Sequence, residues 1–255
     1  MPKPASSWNC VPLALLALLG GLSLRSDAPA PRAMRMAALP PITLWAWERR
    51  EDVRGLDTRR FAVAYLDRTL TIGLDVSSQP RRDPVILPAA AARIAVVRIE
   101  APPTAVLDDA NRRAVVAELL AVARTPSLAM LQIDFDATRS QREFYRALLT
   151  DVRGAMPATL PLSITALASW CSWDGWLRGL PVDEAVPMLF RMEPDRRRAP
   201  PDLDEFRIRE PKCQSSVGVS TDEPWPSHLA GKRIYIFPGE GWRADTLAEL
   251  ERRLK

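Results

Sequence analysis

The chain is expected to fold as an α/β protein: a single (β/α)8 TIM-type barrel, irregular in its first third. Three observations predict this. Eight strand-like segments follow one another between residues 43 and 237. Stretches with apolar residues three and four apart lie between several of them, and strands alternating with helices imply parallel βαβ units. A chain of 255 residues is long enough for one closed barrel with an ordinary core.

The expected strands are 43–48, 61–66, 93–100, 128–136, 161–168, 185–192, 215–221 and 233–237. A helix over 108–124 carries Val115, Leu119 and Val122 on one face, with Asp108 and Asp109 suited to its N-terminus. A second, over 140–156, places Phe144, Leu148 and Val152 four apart, and an amphipathic stretch over 244–254 closes the chain. Residues 69–76 read as a further strand, and prolines near Pro84, Pro102 and Pro200 imply irregular loops.

Residues 1–30 read as a signal peptide or N-terminal anchor. Lys3 is followed by a nearly pure apolar run from Val11 to Leu22, too short for a comfortable span of about 20 residues. Cys10 precedes that run, where a lipoprotein cysteine would follow it. Residues 31–41 read as a linker and 42–255 as the barrel domain. The expected location is secreted or periplasmic, with an uncleaved anchor as the alternative and the only expected contact with a membrane. Export leaves Cys171 and Cys213 where disulfides form. The two could pair if a loop brought them together, but the strand order puts them at opposite barrel ends, so two separate thiols are the expectation ahead of a bridge.

Composition excludes several classes. Lys and Arg outnumber Asp and Glu by only 35 to 31, and no basic stripe interleaves with aromatics, which argues against nucleic acid. The Arg196-Arg197-Arg198 run reads as a solvated loop. His228 is the single histidine, which disfavours Ser-His-Asp hydrolysis and His-ligated zinc. Glycine is scarce at 11 residues and forms no phosphate-binding loop. No cofactor or metal is expected, and carboxylate chemistry survives the filter.

In Leu131-Gln132-Ile133-Asp134-Phe135-Asp136, one strand face is apolar and the other bears an amide and two carboxylates. Side chains two apart share a face at roughly 6–7 Å, and like charges that close shift each other's protonation. Barrel enzymes act at strand C-terminal ends. Those ends offer Asp134, Asp136, Glu100 and Glu223 as candidate catalytic acids, with Glu48, Arg98, Trp170, Arg191 and Asp222 as candidate substrate contacts. Acids, arginines and indoles together suit a polysaccharide or glycan ligand. Plainer readings exist: Arg98 and Glu100 as partners of Asp134 or Arg191, Glu48 as part of a solvated charge cluster, and Asp222 and Glu223 as turn residues before Pro224. Trp45 and Trp47 are expected to pack against helices. Of Trp170, Trp173 and Trp176, Trp170 is the stacking candidate.

These residues lie in stretches that resemble an uncharacterised bacterial family, number 3142 among the domains of unknown function. They are Leu44-Trp45-Ala46-Trp47-Glu48-Arg49, Val97-Arg98-Ile99-Glu100, Leu131 to Asp136, the run from Leu162 to Cys171, Leu180 to Met188, and Val219-Ser220-Thr221-Asp222-Glu223. A looser likeness is to chitinase-type glycoside hydrolase barrels, whose fourth strand ends in alternating Asp residues followed two positions later by a catalytic Glu. Asp134 and Asp136 match that spacing, but position 138 is Thr138. Glu100 or Glu223 would have to supply the missing acid. The expected function is therefore a secreted, glycosidase-like barrel acting on a glycan, or a non-catalytic carbohydrate or cell-envelope binder on the same fold.

Overall fold

The computed structural model describes Met1 and residues 32–192 and 203–254. The expected export signal and the Arg196-Arg197-Arg198 loop lie outside these residues. Eight parallel strands close into a barrel: β1 Ile42–Ala46, β2 Phe61–Ile72, β3 Ala92–Glu100, β4 Leu128–Asp134, β5 Leu162–Leu167, β6 Glu184–Met188, β7 Ser216–Ser220 and β8 Arg233–Phe237. Closure is made by β1, which pairs with β2 (Ile42 opposite Phe61) and with β8 (Ile42 opposite Ile234). The β6–β7 seam is thin, with Gly218 opposite Met188 as its one ladder pair. A side chain at Gly218 would meet Phe237 Cε2 at 3.2 Å and the Pro187 carbonyl at 3.3 Å, so close approach requires glycine there.

Three helices of ten residues or more cover the outside among the described residues: α1 Asp109–Ala123, α2 Arg142–Ala155 and α3 Ala244–Arg253. Asp108 caps α1 by accepting from the Asn111 N–H at 2.8 Å, and Val115, Leu119 and Val122 are buried as their spacing predicts. Phe144, Leu148 and Val152 do the same on α2.

The first third is irregular, as expected, but differently built. Residues 69–72 continue β2 past a register shift between Leu66 and Arg68, and Val76–Pro80 folds back antiparallel on that extension. The expected linker also has structure. Arg32–Met36 is a short helix, Leu39 joins the interior cluster, and Arg233 donates to the Leu39 and Met36 carbonyls. The segment thus closes the N-terminal mouth of the barrel.

Inside the barrel, Trp45, Ala62, Ala64, Ile94, Val96, Met130, Val186, Tyr235 and Phe237 form one buried cluster. This corrects the expectation for Trp45, which packs inward and donates from Nε1 to Gln132 Oε1 at 2.8 Å. Apart from Thr43 both faces of β1 are apolar, so periodicity alone does not say which one points in; Leu44 and Ala46 take the outer face.

Cys171 and Cys213 form a disulfide, with Cα atoms 5.8 Å apart, against the expectation of two thiols. Cys213 does not stand at a strand start. It ends a helical turn, Pro211–Cys213, on the connection returning from β6 to β7. The Arg209 and Glu210 N–H groups both donate to the Cys171 carbonyl, which fastens that connection to the single π-helical turn Trp170–Asp174.

Candidate active site

The inward faces of β4 and β5 build the site. Gln132 and Asp134 alternate with outward Leu131 and Ile133, and Ser163 and Thr165 alternate with outward Leu162 and Ile164. The same period-two pattern on neighbouring strands sets polar groups side by side inside an otherwise apolar barrel. Gln132 Nε2 donates to Ser163 Oγ at 3.1 Å, and Ser163 Oγ donates to Glu184 Oε1 at 3.3 Å. Tyr235 donates to the same carboxyl oxygen. Burial holds the Glu184 carboxyl above its usual range, with the Tyr235 hydroxyl and Arg233 working against that rise.

Above this network, Asp134 is 3% exposed and both its oxygens have donors. Thr165 Oγ1 donates to Oδ1 at 2.7 Å, and Arg98 Nη1 donates to Oδ2 at 2.7 Å. Arg98 is shared, since its Nε donates to Glu100 at 3.1 Å and its guanidinium lies 5.6 Å over the Trp47 ring. Asp136 stands two residues on, at the mouth. It makes no hydrogen bond or ion pair with any described residue. The residue is exposed at the mouth, and the protein around it displaces part of its water. That desolvation, then the Asp134 charge, push it up to about 6, while Arg98 pulls the other way.

Asp134, Asp136, Arg98 and Arg191 line one cleft of about 240 Å³. Trp47, Phe190 and Phe237 give it aromatic walls, with Leu167, Met188 and Met192 among its apolar contacts. Phe190 and Phe237 are 4.7 Å apart, and Trp45 bridges Trp47 at 4.6 Å to Phe237 at 4.7 Å.

The other candidates lie elsewhere. Glu48 accepts from the Arg82 and Asp83 N–H groups at 2.7 and 3.0 Å, bracing a turn. Burial would raise its carboxyl, but those two N–H groups, with Arg81 and Arg82, hold it below the usual range. Glu100 points to solvent beside Arg98. Asp222 accepts from Ser220, the first cause of its lowered pKa, and sits 3.6 Å from Arg191. Glu223 accepts the Arg191 backbone N–H. Trp170, at 2% exposure, is core, edge-on to Trp176 at 5.0 Å, while Trp173 is the exposed indole of that turn.

Thr165, Trp47 and Phe190 were missed as site residues. Thr165 was legible, because Ser163 and Thr165 alternate as Gln132 and Asp134 do. Among the described residues, no group of three or more His, Cys, Asp or Glu side chains could hold a metal ion.

The profile of a family described as a domain of unknown function, DUF3142, matches residues 90–186. The match supports the resemblance drawn above and runs from β3 into β6, so it includes Arg98, Asp134, Asp136, Thr165 and Glu184. Arg191, Asp222 and Glu223 lie beyond it. No curated protein and no solved structure matches this chain.

Proposed function

We propose that this is a glycosidase-like barrel acting on a polysaccharide or glycan. The observation that carries the reading is the asymmetry of the acidic pair: Asp134 is fixed by two donors, while Asp136 has no hydrogen-bond partner among the described residues and is pushed up to about 6. Two carboxyl groups in unequal environments suit two roles. Raised to about 6, Asp136 still carries a proton at mildly acidic pH, where an ordinary aspartate has lost it, and gives it to a leaving glycosidic oxygen. Asp134, with Arg98 and Thr165 holding its geometry, stabilises the positive charge that develops on the sugar, and water then adds to the anomeric carbon and returns a proton to Asp136. Trp47, Phe190 and Phe237 offer apolar faces to sugar rings. Export is part of this proposal, and the Cys171–Cys213 bridge suits an oxidising compartment.

A second reading, a non-catalytic glycan binder, is favoured by one observation: among the described residues Asp134 and Asp136 are the acids lining the cleft, both from the end of β4 and the two residues after it, and neither Glu100 nor Glu223 lines it. Release of reducing ends from a polysaccharide panel separates the two. Asp136→Asn should lower turnover by about two to four orders of magnitude. Binding without cleavage by the wild type establishes the second reading; no binding to any glycan sinks both.

A further inference from the structure

Arg191 lies just past β6 and has a left-handed backbone, φ 48°. Side chains other than glycine avoid this region, and such strain persists only where the surroundings enforce it. The enforcing contact is visible. Both oxygens of Glu223 accept the Arg191 N–H, at 3.1 and 3.2 Å. The arrangement turns the side chain into the cleft wall. There the Arg191 side chain is 59% exposed, and the ion pair its guanidinium makes among the described residues is with Asp222 at 3.6 Å, itself half exposed. An ion pair that loose and wet holds the arginine weakly. Arg98, the other cation lining the cleft among the described residues, is already committed to Asp134 and Glu100. Arg191 is therefore a cation held out on a braced backbone with donors to spare, two strands around the barrel from the acidic pair.

We propose that Arg191 is a specificity-determining residue that receives a carboxylate of the ligand, so that the glycan taken by this cleft is a uronic-acid polymer. The inference rests on the glycan reading above. A planar guanidinium matches a carboxylate through two parallel N–H donors, and Arg191 brings such a guanidinium to the cleft lining. The sugar acid then binds on the β6 wall, with β5 between it and the Asp134–Asp136 pair; the enzyme carboxylate it meets there is Asp222, whose loose contact with Arg191 it replaces.

The test is calorimetric binding of the full chain to oligogalacturonate, oligoglucuronate and oligomannuronate, each paired with its methyl ester, alongside neutral and sulfated oligosaccharides. At least one acid should bind tenfold or more tighter than its ester, and the gap should shrink at 1 M salt. Arg191→Gln should close the gap, weakening the acid tenfold or more while the ester loses far less. Arg191→Gly, which accepts the left-handed backbone, should close it without lowering the melting temperature. Equal binding of acids and esters, or a gap that survives in Arg191→Gln, overturns the assignment, as does preference for the sulfated oligomer. Binding of neutral glycans alone overturns this inference and leaves the glycan reading intact; binding of none overturns both.

Discussion

Arg98 and Asp134 meet across neighbouring strands at 2.7 Å, and the same arginine reaches Glu100 and covers the face of Trp47. One side chain thus neutralises the deepest carboxylate of the cleft, ties it to the rim and fixes the nearest aromatic wall. The plainer reading of Arg98, as a partner of Asp134, is what the structure contains, and it does not compete with function. That cation offsets part of the repulsion between the two carboxylates.

Replacing Arg98 with Met should therefore destabilise the fold by roughly 2 kcal/mol, less than for a fully buried pair because Arg98 is partly exposed. Urea denaturation of wild type and variant at neutral pH measures it. An unchanged midpoint would mean that Asp134 finds solvent or another donor.

Asp136 makes stability depend on pH with a definite sign. Its ordinary value is 3.8 and it rises to about 6 in the fold, so between those values the folded state keeps a proton that the unfolded state has lost. Stability should fall as pH rises through this window and level off above it. Asp136→Asn removes the slope, so thermal melts from pH 3 to 8 should show the variant gaining on the wild type as pH rises. The opposite trend would place a cation against Asp136 that outweighs its desolvation.

Glu51 should behave in the same way over a higher window. It is 1% exposed, its Oε1 accepts from the Trp242 N–H at 3.4 Å, and its Oε2 has no hydrogen-bond partner among the described residues. Burial pushes it to about 7 from 4.5, with the Trp242 N–H, Arg81 and Arg49 opposing. Above pH 7 the folded state carries a desolvated charge, and Glu51→Gln should stabilise it by up to about 3 kcal/mol; near pH 4 the two proteins should match. Chemical denaturation at both pH values decides it.

The Cys171–Cys213 bridge spans a sequence separation of 42 residues and should contribute about 4 kcal/mol by restricting the unfolded chain. The double variant Cys171→Ala with Cys213→Ala, melted with and without reductant, checks this. Only the wild type should respond to reductant.

Much of the barrel was legible locally. Each of the eight strands lies where apolar runs or alternation put it, because strand and helix periodicities are properties of neighbouring residues and survive without tertiary information. The acidic pair was legible for the same reason. What misled was direction: Trp45 on a strand apolar on both faces, and Trp170 at a strand end whose chain turns back into the core. Period-two reading says which residues share a face, and says nothing about which face is inside when both are apolar.

By itself, then, the order of residues determined the succession of strands and helices, the caps, and the presence of Asp134 and Asp136 on one face. Closing the barrel decided the rest. It brought Arg98 and Thr165 from two other strands onto Asp134, set Glu223 against the Arg191 backbone, and carried Cys213 to Cys171. Those contacts join residues 31 to 42 positions apart in the chain. Local propensity cannot encode such pairings; they exist because burying both faces of eight short strands at once leaves one register that satisfies them all.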